Sequence, residues 1–200
     1  RLVLVSPMIG ITRFARFAGL TALPAKFPAF AKAAWLSVTA EFNPFKYNSF
    51  PVNGARQSSL VARKLQERIA AHASDGLLGE LPPILTFQSL VDATVSTEAV
   101  VKTLYSALPR NGSELVVFDV NRAAGLDPFI RSSDRTMLGT LFDRTTARDY
   151  GVTVISNVSR ETFDAAAWRV PAGSTAVGQT PLGLAWPREV FSLSHVAIPF

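Results

Sequence analysis

The 200-residue sequence contains no cysteine, so neither a disulfide framework nor a thiolate metal site can form, and the redox compartment is left undetermined. Histidine is nearly as scarce: His72 and His195 are the only two. No paired-histidine signature for a metal exists, and Asp127 and Asp134 are too sparse for a calcium loop. No glycine-rich loop of the phosphate-cradling kind occurs, which disfavours nucleotide binding, and no cofactor is expected. No uninterrupted apolar run reaches the length of a membrane span. The best candidate, Leu20–Leu36, is broken by Pro24, Lys26, Pro28 and Lys32. No secretory leader is visible, and the chain opens directly on RLVLVSP, which reads as a strand.

At 48% hydrophobic and 18% charged residues the composition is that of a globular chain, long enough for one full core or a large part of a bigger one. The net charge of +5 invites a nucleic-acid reading, but the basic residues are scattered singly from Arg1 to Arg188 without a dense tract. The nearest to a stripe is Arg56–Arg68. There Val61, Leu65 and Ile69 predict one apolar helical face, with Arg63, Lys64 and Arg68 mostly off it. A solvated helix back explains that pattern, and no nucleic-acid partner is expected.

Leu2–Val5 is an alternation-free apolar run stopped by Ser6-Pro7, the pattern of a central strand covered on both faces. Such a strand needs neighbours on both sides, so the sequence reads as a piece of something longer. Residues 10–57 change character, holding Phe14, Phe17, Phe27, Phe30, Phe42, Phe45 and Phe50 with Trp35 and Tyr47 among prolines and alanines. They show no strand pattern and read as an insertion over a sheet formed by residues 1–9 and 58–200. Two explanations stay open for them: an aromatic satellite core, or a cap whose lining (Phe14, Phe17, Phe27, Phe30, Trp35) binds an apolar group such as an acyl chain. An amphipathic helix comes next over Ser58–Ala73, with His72 in its last turn, where a histidine usually meets the terminal carbonyls.

The rest of the chain is organised around Leu81–Val95, LPPILTFQSLVDATV. Two prolines launch a strand at Ile84–Leu90, and Asp92 stands just past its carboxyl end. Ser96 or Thr97 can cap the next helix, whose buried stripe runs from Val100 and Val101 through Leu104 to Leu108. Glu114–Val120 is then a second strand, and a crossover this tight joins parallel strands. Beyond it, a short helix at Met137–Phe142 and a strand at Gly151–Val158 are expected. Arg169–Pro187, rich in Gly, Pro, Ser and Thr, reads as loop, and Glu189–Ser194 as a strand running into His195.

The segment around Asp92 resembles the acid-bearing segment of α/β-hydrolases, where a Pro-led strand ends in a turn carrying the triad aspartate, with a valine three residues on, here Val95. The resemblance is moderately specific at SLVDATV and weaker at SHVAIPF, and it covers the C-terminal half of that fold. It implies a mainly parallel central sheet with flanking helices and the Phe-rich cap, Asp92 as triad acid and His195 as base. The chain order of acid before histidine agrees. The family places its histidine soon after the strand that succeeds the acid; in this sequence a longer stretch of loop and strand intervenes.

Each residue also has a plainer role. Asp92 can be a turn acid bonding nearby amides, and His195 a strand-end histidine bonded to solvent or a carbonyl. Asp119 competes for the acid's place, or pairs with Arg122. The nucleophile is not found. No Gly-x-Ser-x-Gly occurs, and Ser6 lacks the glycines that would let a sharp elbow form. The expectation is the C-terminal part of a serine esterase of carboxylesterase or lysophospholipase type, acting on a small-molecule ester or lipid. Its serine would belong to a missing N-terminal half, and these residues alone would be inactive. The alternative is a non-catalytic α/β module that binds a lipid or protein partner through the aromatic cap.

Overall fold

The computed structural model describes residues 1–11, 32, 34–38, 49–92, 94–125, 128 and 130–192. Strand β1 (Leu2–Val5) comes first, then a two-stranded antiparallel ribbon of β2 (Trp35–Ser37) and β3 (Phe50–Pro51). The long helix α1 (Val52–Ser74) leads through a 3-10 turn (Leu77–Glu80) to β4 (Ile84–Ser89). Helix α2 (Thr97–Ala99) continues as a π turn (Val100–Leu104) and a 3-10 turn (Tyr105–Ala107). Strand β5 (Glu114–Phe118), helix α3 (Ser132–Leu141), and strands β6 (Gly151–Asn157), β7 (Asp164–Val170) and β8 (Gly178–Ala185) complete the described elements.

Six strands form one sheet in the order β1-β4-β5-β6-β7-β8. The first three pairings are parallel and the last two antiparallel, so the fold is α/β with a mixed sheet. The parallel strands step across the sheet in one direction. Right-handed crossovers therefore put α1, α2 and α3 on the same face. Burial agrees: Ile84, Thr86 and Gln88 of β4 are buried, whereas Leu85 and Phe87 between them are half-exposed. The core joins Ile69 of α1, Val100, Val101, Leu104 and Tyr105 of the α2 segment and Met137 and Leu141 of α3 to Ile84, Leu115, Val117, Val152 and Val154 of the sheet. On the other face, Phe87 and Phe118 stack at 6.4 Å between ring centroids.

Several expectations are corrected. β1 is an edge strand among the described residues, with Val3 54% and Val5 62% exposed, not one covered on both faces. α1 begins at Val52, well before Ser58, because Val52 and Ala55 bury against the rest of the chain and draw the Asn53-Gly54 turn signal into the helix. Its buried face is Val52, Ala55, Ala62 and Ile69, while Val61 and Leu65 are exposed. Small alanines allow a closer approach to the sheet than the Val61–Leu65 stripe would. Within the α2 segment, the wide π turn buries the consecutive Val100 and Val101 together, which the 100° step of an α-helix would splay apart. The stretch read as loop from Arg169 to Pro187 holds the end of β7 and all of β8, whose eight residues are exposed and so carry no apolar alternation. The strand expected at Glu189–Ser194 is, in its described part, a single bridge between Ser192 and Val120.

Tyr105 locks the α2 segment to the sheet. Its ring packs at 4.8 Å from that of Tyr150, and its hydroxyl donates to the Glu114 carbonyl at 2.7 Å. Burial pushes its pKa from the ordinary 10.0 up to about 12 and raises that of Tyr150 too. The folded state thus holds these protons more tightly than the unfolded chain. The stabilisation is complete below pH 10 and is lost as pH climbs towards 12. Tyr105→Phe should cost about 1 kcal/mol at neutral pH by removing the hydrogen bond. It should also flatten the alkaline loss of stability, read from urea midpoints measured across that window.

Candidate functional site

Asp92 stands where β4 and β5 end. The Leu90 amide donates to the Phe118 carbonyl at 2.8 Å, carrying the ladder one residue past β4 before the chain turns. The turn is built by short polar side chains. Asp92 Oδ1 accepts the amides of Thr94 at 2.8 Å and Val95 at 2.9 Å, and Thr97 Oγ1 donates to the Ser89 carbonyl at 2.9 Å. Ser96 Oγ accepts the Ala99 amide at 3.2 Å, capping α2. Asp92 itself is only 7% exposed.

The chain leaving β1 is laced onto this turn. Ser96 donates its amide to the Gly10 carbonyl at 2.9 Å, Ile11 bridges Val95, and Gln66 of α1 donates to the Ile9 carbonyl at 2.7 Å. A Cβ at Gly10 would lie 2.4 Å from Ala99 Cβ, so only glycine allows this approach. Ser6 is the one described non-glycine residue with a left-handed backbone, φ 43°, and lies at the same carboxyl rim, its amide donating to the Phe87 carbonyl. A cleft of about 680 Å³ opens beside the turn, lined by Asp92, Ser96, Arg63, Gln66, Arg131 and Asp134 among others.

Asp119 lies just past the end of β5, not within a strand that would set its direction. The Arg122 guanidinium grips it in a fork, Nε to Oδ2 at 2.8 Å and Nη2 to Oδ1 at 2.6 Å, and Ser156 Oγ donates to Oδ2 at 2.7 Å. Behind it, Asn157 Nδ2 donates to Asn121 Oδ1 at 3.1 Å, and Asn157 Oδ1 accepts the Arg122 amide at 2.7 Å. The sequence reading missed Ser156, Asn157 and Asn121. Their signal was polar residues at the ends of two apolar strands.

His195 lies outside the described residues, as do Phe14, Phe17, Phe27 and Phe30 and the loop acid Asp127. Trp35 is described: it lies in β2, 45% exposed, and lines neither this cleft nor the cavity at Asp119. His72 is exposed in the last turn of α1. The chain running towards His195 is fixed as far as Ser192. The Asn121 amide donates to the Phe191 carbonyl at 2.7 Å, Asn121 Nδ2 donates to the Val190 carbonyl at 3.2 Å, and Ser192 bridges Val120. Among the described residues no cluster of histidine, aspartate and glutamate could hold a metal, and no helix is long and apolar enough to cross a membrane. No protein-family model, curated protein or solved structure matches the chain.

The two carboxylates should respond differently to substitution. Asp92→Ala removes the acceptor of two amides, one of them on buried Val95, and should cost about 1–3 kcal/mol; Asp92→Asn keeps Oδ1 and should cost clearly less. Asp119→Ala strips a nearly buried guanidinium of its carboxylate and should cost about 3–5 kcal/mol. Chemical denaturation of the three variants checks the order.

Proposed function

We propose that this chain is the C-terminal part of a serine hydrolase cleaving carboxylic esters, of carboxylesterase or lysophospholipase type, with Asp92 the acid and His195 the base of its triad. The observation that carries the reading is the meeting of two segments at adjacent strand ends. Buried Asp92 comes just after Leu90, which is bonded to Phe118, and Ser192, three residues before His195, is bridged to Val120, two residues past Phe118.

In this mechanism His195 takes the proton of a serine hydroxyl as the serine oxygen attacks the ester carbonyl. It then returns that proton to the leaving alcohol, giving an acyl-enzyme. Water, deprotonated by the same imidazole, releases the carboxylic acid and regenerates the serine. Asp92 orients the imidazole and stabilises its charged form. Phe14, Phe17, Phe27 and Phe30 are the proposed acyl-chain contacts, in a cap over residues 10–57, while Trp35 lines neither cavity.

The serine is assigned to a preceding N-terminal half of the fold, and the edge of the sheet supports this. Leu2 and Ser6 donate their amides to Pro83 and Phe87, so the parallel pattern directs the amides and carbonyls of Val3 and Val5 away from β4, where a further strand would pair. A second reading, a non-catalytic α/β module, is favoured by the turn bonding of Asp92 Oδ1 alone.

The test is labelling by a fluorophosphonate probe of the protein produced with its upstream sequence. Labelling is expected, with Asp92→Asn lowering ester turnover by about 10⁴-fold and His195→Ala abolishing it to a comparable degree. An unlabelled longer protein removes the hydrolase reading. Ester turnover by residues 1–200 alone would show that the nucleophile is misassigned.

A further inference from the structure

Asn121, just past β5, and Asn157, the last residue of β6, are buried at 0% and 4% exposure, and neither belongs to the proposed triad. A buried asparagine is satisfied when its side-chain oxygen meets donors and its nitrogen meets acceptors. Here the identity of each atom follows from its neighbour. The Arg122 backbone amide can only donate, so the Asn157 atom 2.7 Å from it is Oδ1. Asn157 Nδ2 therefore faces the Thr162 carbonyl at 2.8 Å and Asn121 Oδ1 at 3.1 Å. That leaves Asn121 Nδ2 to donate to the Val190 carbonyl at 3.2 Å, beside the bond from the Asn121 amide to the Phe191 carbonyl at 2.7 Å. One residue thus grips two consecutive carbonyls of the chain that leads to His195.

The geometry points to Asn121, oriented by Asn157, as a positioning residue for the base of the triad. The inference rests on the hydrolase reading, because it takes His195 as that base. Residues 187–192 form a turn and a single bridge rather than a helix or a ladder, and the Val190 amide returns to the Pro187 carbonyl within the turn. Their place against the sheet is therefore set from outside, by Asn121 and by the bridge of Ser192 to Val120. A base works only within hydrogen-bond reach of its partners, and a displacement of about 1 Å costs on the order of 100-fold in rate. The side-chain amide is what the position requires. An aspartate there has the same shape but turns an acceptor towards the Val190 carbonyl, and a serine is too short to reach it.

The test uses the protein produced with its upstream sequence, unsubstituted and as Asn121→Asp and Asn121→Ser. By hydrogen exchange, the Asn121 amide should be protected in the unsubstituted protein. In both variants exchange at Asn121 and over residues 188–192 should quicken by about tenfold, with the amides of β4 still protected. Ester turnover should show kcat lowered by about tenfold to 100-fold with KM within about twofold. A purely structural role would lower the urea midpoint and leave kcat of the folded enzyme intact. Fluorophosphonate labelling separates this inference from the reading beneath it. An unlabelled unsubstituted protein removes both. Labelling together with an unchanged kcat in both variants, a change confined to KM, or unaltered exchange overturns the positioning role alone. So does unprotected exchange of the Asn121 amide in the unsubstituted protein, a result that needs no variant to fold.

Discussion

Everything in this fold depends on the run of parallel pairings from β1 through β4 and β5 to β6, each strand added on the same side of the last. With right-handed crossovers, that progression leaves one place for the helices, a single face of the sheet. It also gathers the carboxyl ends of β1, β4, β5 and β6 along one rim, where side chains just past the strands reach into crevices. Ser6, Asp92, Asp119 and Asn157 all stand on that rim. Their proximity results from the order of pairings and needs no special feature of the loops.

The rim uses its two buried carboxylates differently. Asp119 is met by a guanidinium fork and a hydroxyl, and its neighbours Asn121 and Asn157 bond to each other and to the backbone. A group so fully engaged fixes geometry, and its charge is already answered by Arg122. Asp92 is bonded at Oδ1 by amides of its own turn, neutral donors that set its direction. Asp92 is thus oriented by the amides of its turn, and Asp119 by its ion pair with Arg122.

Much of this was legible in the sequence, and the failures share a cause. Ile84–Ser89 and Gly151–Asn157 declared themselves through apolar runs bounded by turn residues, and Ser96 declared the start of α2 by its capping chemistry. The pairing of Asp119 with Arg122, three residues on, was readable as an alternative to catalysis. β8 was hidden because strands reveal themselves by what they bury, and a fully exposed edge strand containing Pro181 and Gly183 buries nothing. The face of α1 was misread for a related reason. Periodicity favours the largest apolar residues, Val61 and Leu65, whereas close packing selected the alanines. The partners of the Asp92 turn from the Gly10 segment are separated from it by residues 12–91, beyond the reach of any local pattern.

The same topology accounts for the feature of the sequence that fits the resemblance least, the long interval between Asp92 and His195. At the end of β6 the chain leaves the rim again. It reverses into β7 and β8, adding an antiparallel hairpin at the far edge of the sheet, with β8 exposed along its length. Only then does it come back. The Trp186 amide donates to the Phe163 carbonyl at 2.8 Å, and the Asn121 amide donates to the Phe191 carbonyl. The intervening residues are thus a detour along the sheet edge that leaves the later segment in place. By Ser192 the backbone is beside Val120 again, at the end of the strand paired with the one that carries Asp92. Because the hairpin begins and ends at the same rim, Asn157 and Ser192 are far apart in sequence yet both lie at that rim.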